Sequence, residues 1–189
     1  MKKITFLIFA FGLLLISCNN SNDPEPTLPT PNLNYDGPNQ SAPLLDPGNY
    51  EAAVRFTSAE TSPFANRNLT SIQFFVQDAP ALCVIAVYGE GSPGEPGNLL
   101  YEQEVTNGVT AGTWNQYNFT TPIPITGEDL WLSIIVEHDR RMASIGCDPG
   151  PAVANGDWLW VDDQNDWITL REHTNQAVNI NWNIRGFVN

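Results

Sequence analysis

From about residue 50 onward, the chain consists of short segments in which apolar and polar residues alternate. These segments are rich in Val, Ile, Phe, Tyr, Trp and Thr and are bounded by Gly, Pro, Asn or Asp, a pattern typical of β-strands joined by turns. No window of helical length carries an apolar stripe with a 3.6-residue period. The pattern predicts nine strands, at residues 50–57, 70–77, 82–88, 99–105, 113–120, 130–137, 158–161, 167–170 and 178–187.

The last predicted strand shows what these alternations imply for packing. Three apolar residues alternate there with three polar ones, so one face should be buried and the other should meet water. We expect Ile180, Trp182 and Ile184 in the core and Asn181, Asn183 and Arg185 in solvent. Nine such strands predict an all-β fold, an antiparallel β-sandwich of the jelly-roll or galactose-binding-like type, because an open sheet of that size would leave its apolar face uncovered.

The first 46 residues do not follow the strand pattern. Residues 1–17 combine Lys2 and Lys3 with an apolar run over 4–16, the arrangement of a secretory signal peptide, and this run is short for a membrane-spanning helix. Residues 18–46 are rich in Pro, Asn, Asp and Ser, which predicts a semi-extended tether. Residues 47–189 are then left as one sandwich domain, long enough for a hydrophobic core.

The boundary between signal and tether carries the most informative residue of the chain. The stretch Leu15-Ile16-Ser17-Cys18 resembles the lipobox of bacterial lipoproteins, in which a small residue precedes a cysteine that is lipidated and becomes the mature N-terminus. The resemblance implies acyl chains on Cys18 and a stable attachment to a membrane. The polar, acidic residues that follow resemble the export tag of Gram-negative outer-membrane lipoproteins and imply that location, with surface exposure as one option. The alternative is an ordinary secretory signal that leaves Cys18 as a free thiol.

The charge of the chain narrows the choice of partners. Removing Lys2 and Lys3 with the signal changes the formal net charge from −13 to −15, with 21 acidic residues against six arginines. Nucleic acid is an improbable partner, because affinity for phosphates comes chiefly from Lys and Arg. Such acidity is compatible with a structural calcium ion, although it also simply makes a surface soluble. The candidate calcium ligands are Asp148, Asp157 and Asp162; no cofactor is required by any motif.

The three cysteines divide into the lipidated Cys18 and one remaining pair. Cys83 and Cys147 could form a disulfide in an exported protein, closing a loop that would stabilise the fold by about 4 kcal/mol. The alternative is two separate thiols, with Cys83 buried in a strand. Nothing around them indicates catalysis. Pairing of Cys147 with His138 rests on sequence proximity alone, and Ser144 lacks the Gly-x-Ser-x-Gly motif.

The sharpest binding hypothesis concerns residues 157–167. Strand alternation places Trp158 and Trp160 on one face and Leu159 and Val161 on the other. If the tryptophans face outward, they form an exposed ledge next to Asp162 and Asp163, and aromatic planes flanked by polar groups suit a sugar ring. If they face inward they are core residues, which is the more common place for large aromatics.

Several short strings, taken in order, resemble a group of β-sandwich modules in secreted and cell-surface bacterial proteins. They run from 54–56 and 63–65 through 97–103, 114–117 and 129–132 to 146–151, 156–158 and 181–186. The resemblance includes jelly-roll, adhesin-like domains and implies a non-catalytic accessory or adhesive module. We therefore expect a lipid-anchored protein of the outer membrane that binds a glycan or a surface protein. A structural subunit of an envelope complex is the alternative, and a hydrolase with paired carboxylates is a further one.

Overall fold

The computed structural model describes residues 30–162 and 165–189. It contains nine strands arranged as a sandwich of two antiparallel sheets, so the predicted all-β sandwich is confirmed. The strands are β1 (Gly48–Phe56), β2 (Asn68–Val76), β3 (Leu82–Tyr88), β4 (Leu99–Glu104), β5 (Thr113–Pro124), β6 (Leu130–His138), β7 (Trp158–Val161), β8 (Asp166–Thr169) and β9 (Ile184–Val188). The six-stranded sheet has the order β4-β3-β6-β1-β7-β8, and the three-stranded sheet has the order β5-β2-β9.

In the described ranges, helical structure is limited to single turns between strands. These turns are α1 (Ser58–Thr61), α2 (Leu170–His173) and two 3-10 helices, Ser62–Phe64 and Thr106–Gly108. Each α-helical turn begins with a capping box, in which a threonine and the glutamate three residues later satisfy each other's backbone N–H groups. These turns close loops and do not contribute a packing layer.

The core lies between the two sheets and is built from alternate residues of each strand. In β1, Ala52, Val54 and Phe56 are buried there, and in β2 the inward residues include Ile72 and Phe74. The central pair of the large sheet is β1 with β6, joined without a bulge from Gly48 opposite His138 to Phe56 opposite Leu130. This unbroken register fixes which side chains of the large sheet face away from the core.

The predicted tether is wrong for its C-terminal part. Residues 32–45, which we call the N-terminal strap, pack along the domain instead of extending into solvent. Leu33 is buried in the core and exchanges backbone hydrogen bonds with Gly186, and Ser41 pairs with Cys147 in the same way. The proline-rich composition had suggested a chain without regular backbone hydrogen bonds. Here the backbone of the strap bonds to the backbone of the domain instead. The folded domain therefore includes residues 32–45.

The last strand is shorter than the sequence predicted, and the strap covers part of the segment before it. The last strand is β9, from Ile184, and not the longer segment 178–187, because the backbone of residues 181–183 bonds mainly to the loop residues Asp148, Gly156 and Gly146. Ile180, Trp182 and Ile184 are buried as predicted, but Asn181 and Asn183 are buried too. The prediction that these asparagines face solvent is wrong, since strap and loop residues cover that face and accept their hydrogen bonds.

Candidate functional site

The candidate site is a set of tryptophans on the outer face of the six-stranded sheet. Leu159 and Val161 of β7 point into the core, where Leu159 is 0 % exposed. Alternation therefore leaves Trp158 and Trp160 on the opposite face, where both are partly exposed. Trp167 of β8 lies directly opposite Trp160 in the strand register and is also partly exposed. We call Trp158, Trp160 and Trp167 the tryptophan ledge.

The ledge rests on a fourth tryptophan that is hidden from solvent. Trp131 of β6 is 0 % exposed, although it lies on the outer face of the sheet. Its ring centroid is 5.4 Å from that of Trp158 and 5.7 Å from that of Trp167. The guanidinium of Arg55 lies over the Trp131 ring, 5.8 Å from its centroid, within cation–π range. These contacts hold the Trp158 and Trp167 rings in place, so a ligand would meet a pre-formed surface at these two rings.

A buried carboxylate lies next to the ledge. Glu51 of β1 is directly opposite Trp160 in the register and is only 9 % exposed. Its Oε1 accepts a hydrogen bond of 2.8 Å from the Tyr88 hydroxyl and another from the Ser133 hydroxyl. Burial raises the pKa of Glu51 above 4.5, and these two hydrogen bonds offset only part of that effect. The carboxylate is positioned to accept hydrogen bonds from a ligand lying on the ledge.

The polar rim of the ledge is formed by the turn after β7. Asp162 is exposed and its Oδ2 accepts a 3.2 Å hydrogen bond from the Asn49 side chain. Asp163, the other acidic residue predicted to flank the tryptophans, lies outside the described residues. Of the two acidic residues predicted to flank the tryptophans, Asp162 is described, and it lies directly after β7 with its side chain accessible to solvent.

Sequence reasoning missed three members of this surface: Glu51, Trp131 and Trp167. Trp131 comes from β6, which is almost continuously apolar, and such a strand does not reveal which residues face outward. In β1 the alternation already indicates that Glu51 faces outward. Its position beside Trp160 follows only from the register of β1 with β7, which requires the tertiary structure.

The predicted calcium ligands do not come together. Among the described residues no group of three His, Cys, Asp or Glu side chains could hold a metal ion. Asp157 is fully buried and bonded to Arg171 through Nε at 2.9 Å, and Asp162 is on the ledge rim. The structure does not bring Asp148, Asp157 and Asp162 together into one site, and hydrogen-bond donors of the protein already bind the two buried carboxylates.

Asp148 instead fastens the strap to the chain's C-terminal part. It accepts hydrogen bonds from the backbone N–H groups of Gly37, Gly150 and Asn181 and from the Asn181 side chain, at 2.8–3.1 Å. Burial alone would raise the pKa of Asp148, but these hydrogen bonds outweigh it and hold the pKa below 3.8. A carboxylate with this many donors is a structural anion.

The structure does not join Cys83 to Cys147. Cys83 and Cys147 are both free and both buried. Cys83 belongs to β3 in the core, where burial raises its pKa to about 12. The Sγ of Cys147 is 3.3 Å from the Ser41 hydroxyl of the strap. The alternative of two separate thiols therefore describes these residues.

His138 has a partner other than the predicted one. Its Nε2 is 2.6 Å from the Ser144 hydroxyl, and not paired with Cys147. Such a Ser–His contact is the first element of a nucleophile–base pair. Here both residues are at least 97 % buried, and burial lowers the pKa of His138 below 6.5. The pair fixes the loop after β6 and offers no access to a substrate.

Cys18 and the lipobox lie outside the described residues. Within the part of the chain that the structure describes, no helix is long and apolar enough to cross a membrane. No protein-family model, no curated protein and no solved structure matches the chain.

Proposed function

We propose that this chain is a lipid-anchored protein of the cell envelope whose β-sandwich binds a glycan on the tryptophan ledge. The observation that carries the proposal is the inward orientation of Leu159 and Val161, which leaves Trp158 and Trp160 on the outer face. Aromatic rings stack on the apolar faces of sugar rings, and neighbouring polar groups bond to the hydroxyls. Glu51 and Asp162 are the polar groups next to the ledge.

The proposed activity is recognition without turnover. The ledge is partly exposed and rigidly supported by Trp131, as a stacking surface requires. The Ser144–His138 pair is enclosed, and the buried carboxylates Asp36 and Asp157 are held by arginines. These features favour a binding module over a hydrolase.

Binding can be tested on the full-length protein, purified in detergent, with an array of immobilised glycans followed by calorimetry on the best ligand. Trp160→Ala and Trp167→Ala should each weaken binding at least tenfold, which corresponds to about 1.4 kcal/mol. Trp114→Ala is the matched control, because Trp114 is a partly exposed tryptophan of β5 in the other sheet. Unchanged affinity in all ledge variants, with normal thermal unfolding, would refute glycan binding at this surface.

The anchor is proposed on the lipobox of residues 15–18 alone and needs a separate test. Metabolic labelling with an alkyne-bearing palmitate should mark the wild-type protein and not Cys18→Ser. Membrane fractionation should place the labelled protein in the outer membrane, and protease treatment of intact cells then distinguishes surface display from a periplasmic orientation. Equal labelling of the two proteins would eliminate Cys18 as the acylated residue.

A further inference from the structure

Among the described residues, the edge of the six-stranded sheet farthest from the ledge is formed by β4, which pairs only with β3. Val105 N–H donates to the Cys83 carbonyl at the start of this pairing. Because hydrogen-bonded pairs alternate along an antiparallel ladder, the backbone groups of Glu102 and Glu104 point away from β3. The edge therefore presents backbone donors and acceptors to an incoming strand. One of them, the Glu104 carbonyl, accepts a 3.0 Å hydrogen bond from the exposed Gln103 side chain, which an incoming strand would have to displace.

An apolar cavity of about 550 Å³ opens beside this edge. It lies where the loop after β3 and the loop after β5 meet, and its floor includes Ile123, Ile125 and Leu130. Leu100, which lines the cavity, is 49 % exposed, and its neighbour Leu99 is 50 % exposed. These leucines are the largest exposed aliphatic side chains of the sheet edges, in a fold whose other edge residues are mostly polar.

The surroundings of the cavity and of β4 are acidic. Glu90 and Glu128 are exposed at the cavity rim, and the described lining contains no Lys or Arg. Glu102 and Glu104 lie opposite Ala86 and Val84 of β3, so both project from the outer face of the sheet. One strand edge thus combines free backbone groups, an apolar cavity and two carboxylates two residues apart.

We infer that β4 binds an extended segment of a partner protein in which Lys or Arg alternates with aliphatic residues. The segment would add a strand to the sheet through its main chain. Its cations would face Glu102 and Glu104, and an aliphatic side chain would enter the cavity beside Leu100. A strand has a two-residue period, which matches the spacing of the two glutamates.

A second copy of this chain is a poorer fit to the same edge. Among the arginines in described ion pairs, the most exposed are Arg140 and Arg141. These two are neighbours in the sequence and do not alternate with aliphatic residues. Arg55 belongs to β1 in the middle of the sheet and is paired with Asp129. The chain also has no lysine after Lys3. The charge pattern therefore favours a basic partner of different sequence.

The test uses the full-length protein in detergent and a fluorescent, blocked peptide of alternating Lys and Val, with binding measured by anisotropy. We expect saturable binding that weakens at least tenfold for a peptide N-methylated on the pairing edge. Glu102→Lys and Glu104→Lys should weaken binding by a similar factor, and Leu100→Ser by several-fold. Glu137→Lys is the matched control, because Glu137 is an exposed glutamate of β6, away from the edge.

Four outcomes would overturn the inference. Absence of peptide binding is the first. Equal affinity for the N-methylated peptide would show that no strand is added, and equal weakening by Glu137→Lys would show non-specific attraction to an acidic protein. Concentration-dependent self-association that Glu102→Lys abolishes would identify a second copy as the occupant. Ledge variants such as Trp160→Ala should leave peptide binding unchanged, so this test is independent of the proposed glycan site.

Discussion

Trp160 of β7 and Glu51 of β1 lie directly opposite each other on the outer face of the six-stranded sheet. A buried carboxylate is an unusual strand partner for a partly exposed tryptophan, because burying a charge is costly unless the charge is paired. Glu51 has two hydroxyl donors and no cationic partner among its described contacts. The arrangement places at the ledge a carboxylate whose burial lowers the stability of the fold and raises the pKa of the group. Ionisable groups with shifted pKa values are common where proteins bind ligands.

Glu51→Gln should stabilise the protein at neutral pH. Because the pKa of Glu51 is raised in the folded state, ionisation at neutral pH favours unfolding, and this cost disappears below pH 4.5. The glutamine oxygen can still accept from Tyr88 and Ser133. Urea unfolding at several pH values should show a gain at pH 7 that vanishes in acid. Glu137→Gln, at an exposed position, should show no such trend, and a variant that is less stable at pH 7 would contradict the argument.

Trp131 and Trp160 should differ strongly in their contribution to stability. Trp131→Ala should lower the free energy of unfolding by about 3–5 kcal/mol, since it removes a fully buried ring and its contacts with Trp158 and Trp167. Trp160→Ala removes a partly exposed ring and should cost less than about 2 kcal/mol. Urea unfolding of both variants provides the comparison. Equal losses would mean that Trp160 is a core residue.

His138 should make the protein sensitive to mild acid. Its pKa is lowered by burial in the folded state, so the unfolded chain binds the proton more readily and stability falls as the pH drops below about 6.5. His138→Gln retains a group that can bond to Ser144 but does not titrate. The stability difference between the two proteins should therefore change between pH 7 and pH 5. A constant difference would show that His138 does not contribute to the pH dependence.

Asp148→Asn should destabilise the attachment of the strap. The substitution replaces charge-assisted hydrogen bonds to Gly37, Gly150 and Asn181 by weaker ones and places an amide N–H₂ against donors, with an expected loss of about 1.5–3 kcal/mol. Asp162→Asn is the control, since Asp162 is exposed and should change stability by less than about 0.5 kcal/mol. Limited proteolysis should cleave the strap of Asp148→Asn first. Equal stability of the two variants would contradict the role given to Asp148.

The free thiols predict a simple titration result. Cys83 and Cys147 are buried, and burial raises the pKa of both, so the reactive thiolate is scarce in the folded state. In the Cys18→Ser variant, which retains only these two cysteines, Ellman's reagent should not react with the folded, unreduced protein. After unfolding in urea it should titrate both thiols. Failure to release any thiol on unfolding would demonstrate that the pair is oxidised.

The strands were predictable because alternation is a local property. Each predicted strand has a counterpart, and the bounds of β3 and β7 agree to the residue. The backbone places successive side chains on opposite faces whatever surrounds the strand, so residues 158–161 could be divided into two pairs from sequence alone. The same logic gave the buried set Ile180, Trp182 and Ile184.

Which face is buried was not decided by the alternation. The sequence offered two orientations of Trp158 and Trp160, and the more common one for aromatics, inside the core, is not the one that forms. Leu159 and Val161 fill the space between the sheets, and on the outer face the buried Trp131 packs against Trp158 and Trp167. The choice depends on the volume left by the other strands, and that volume is a property of the whole sandwich.

The sequence by itself determined the strand pattern, the acidic surface and the lipobox resemblance at Cys18, because each depends on neighbouring residues or on composition. The tertiary structure decided the role of the strap, the burial of Asn183 and the site around Glu51. Asn183 donates to Asp36, a residue 147 positions away, and Glu51 meets Trp160 only through strand register. Contacts across such distances depend on how the strands are ordered in the sheets, and local patterns do not specify that order.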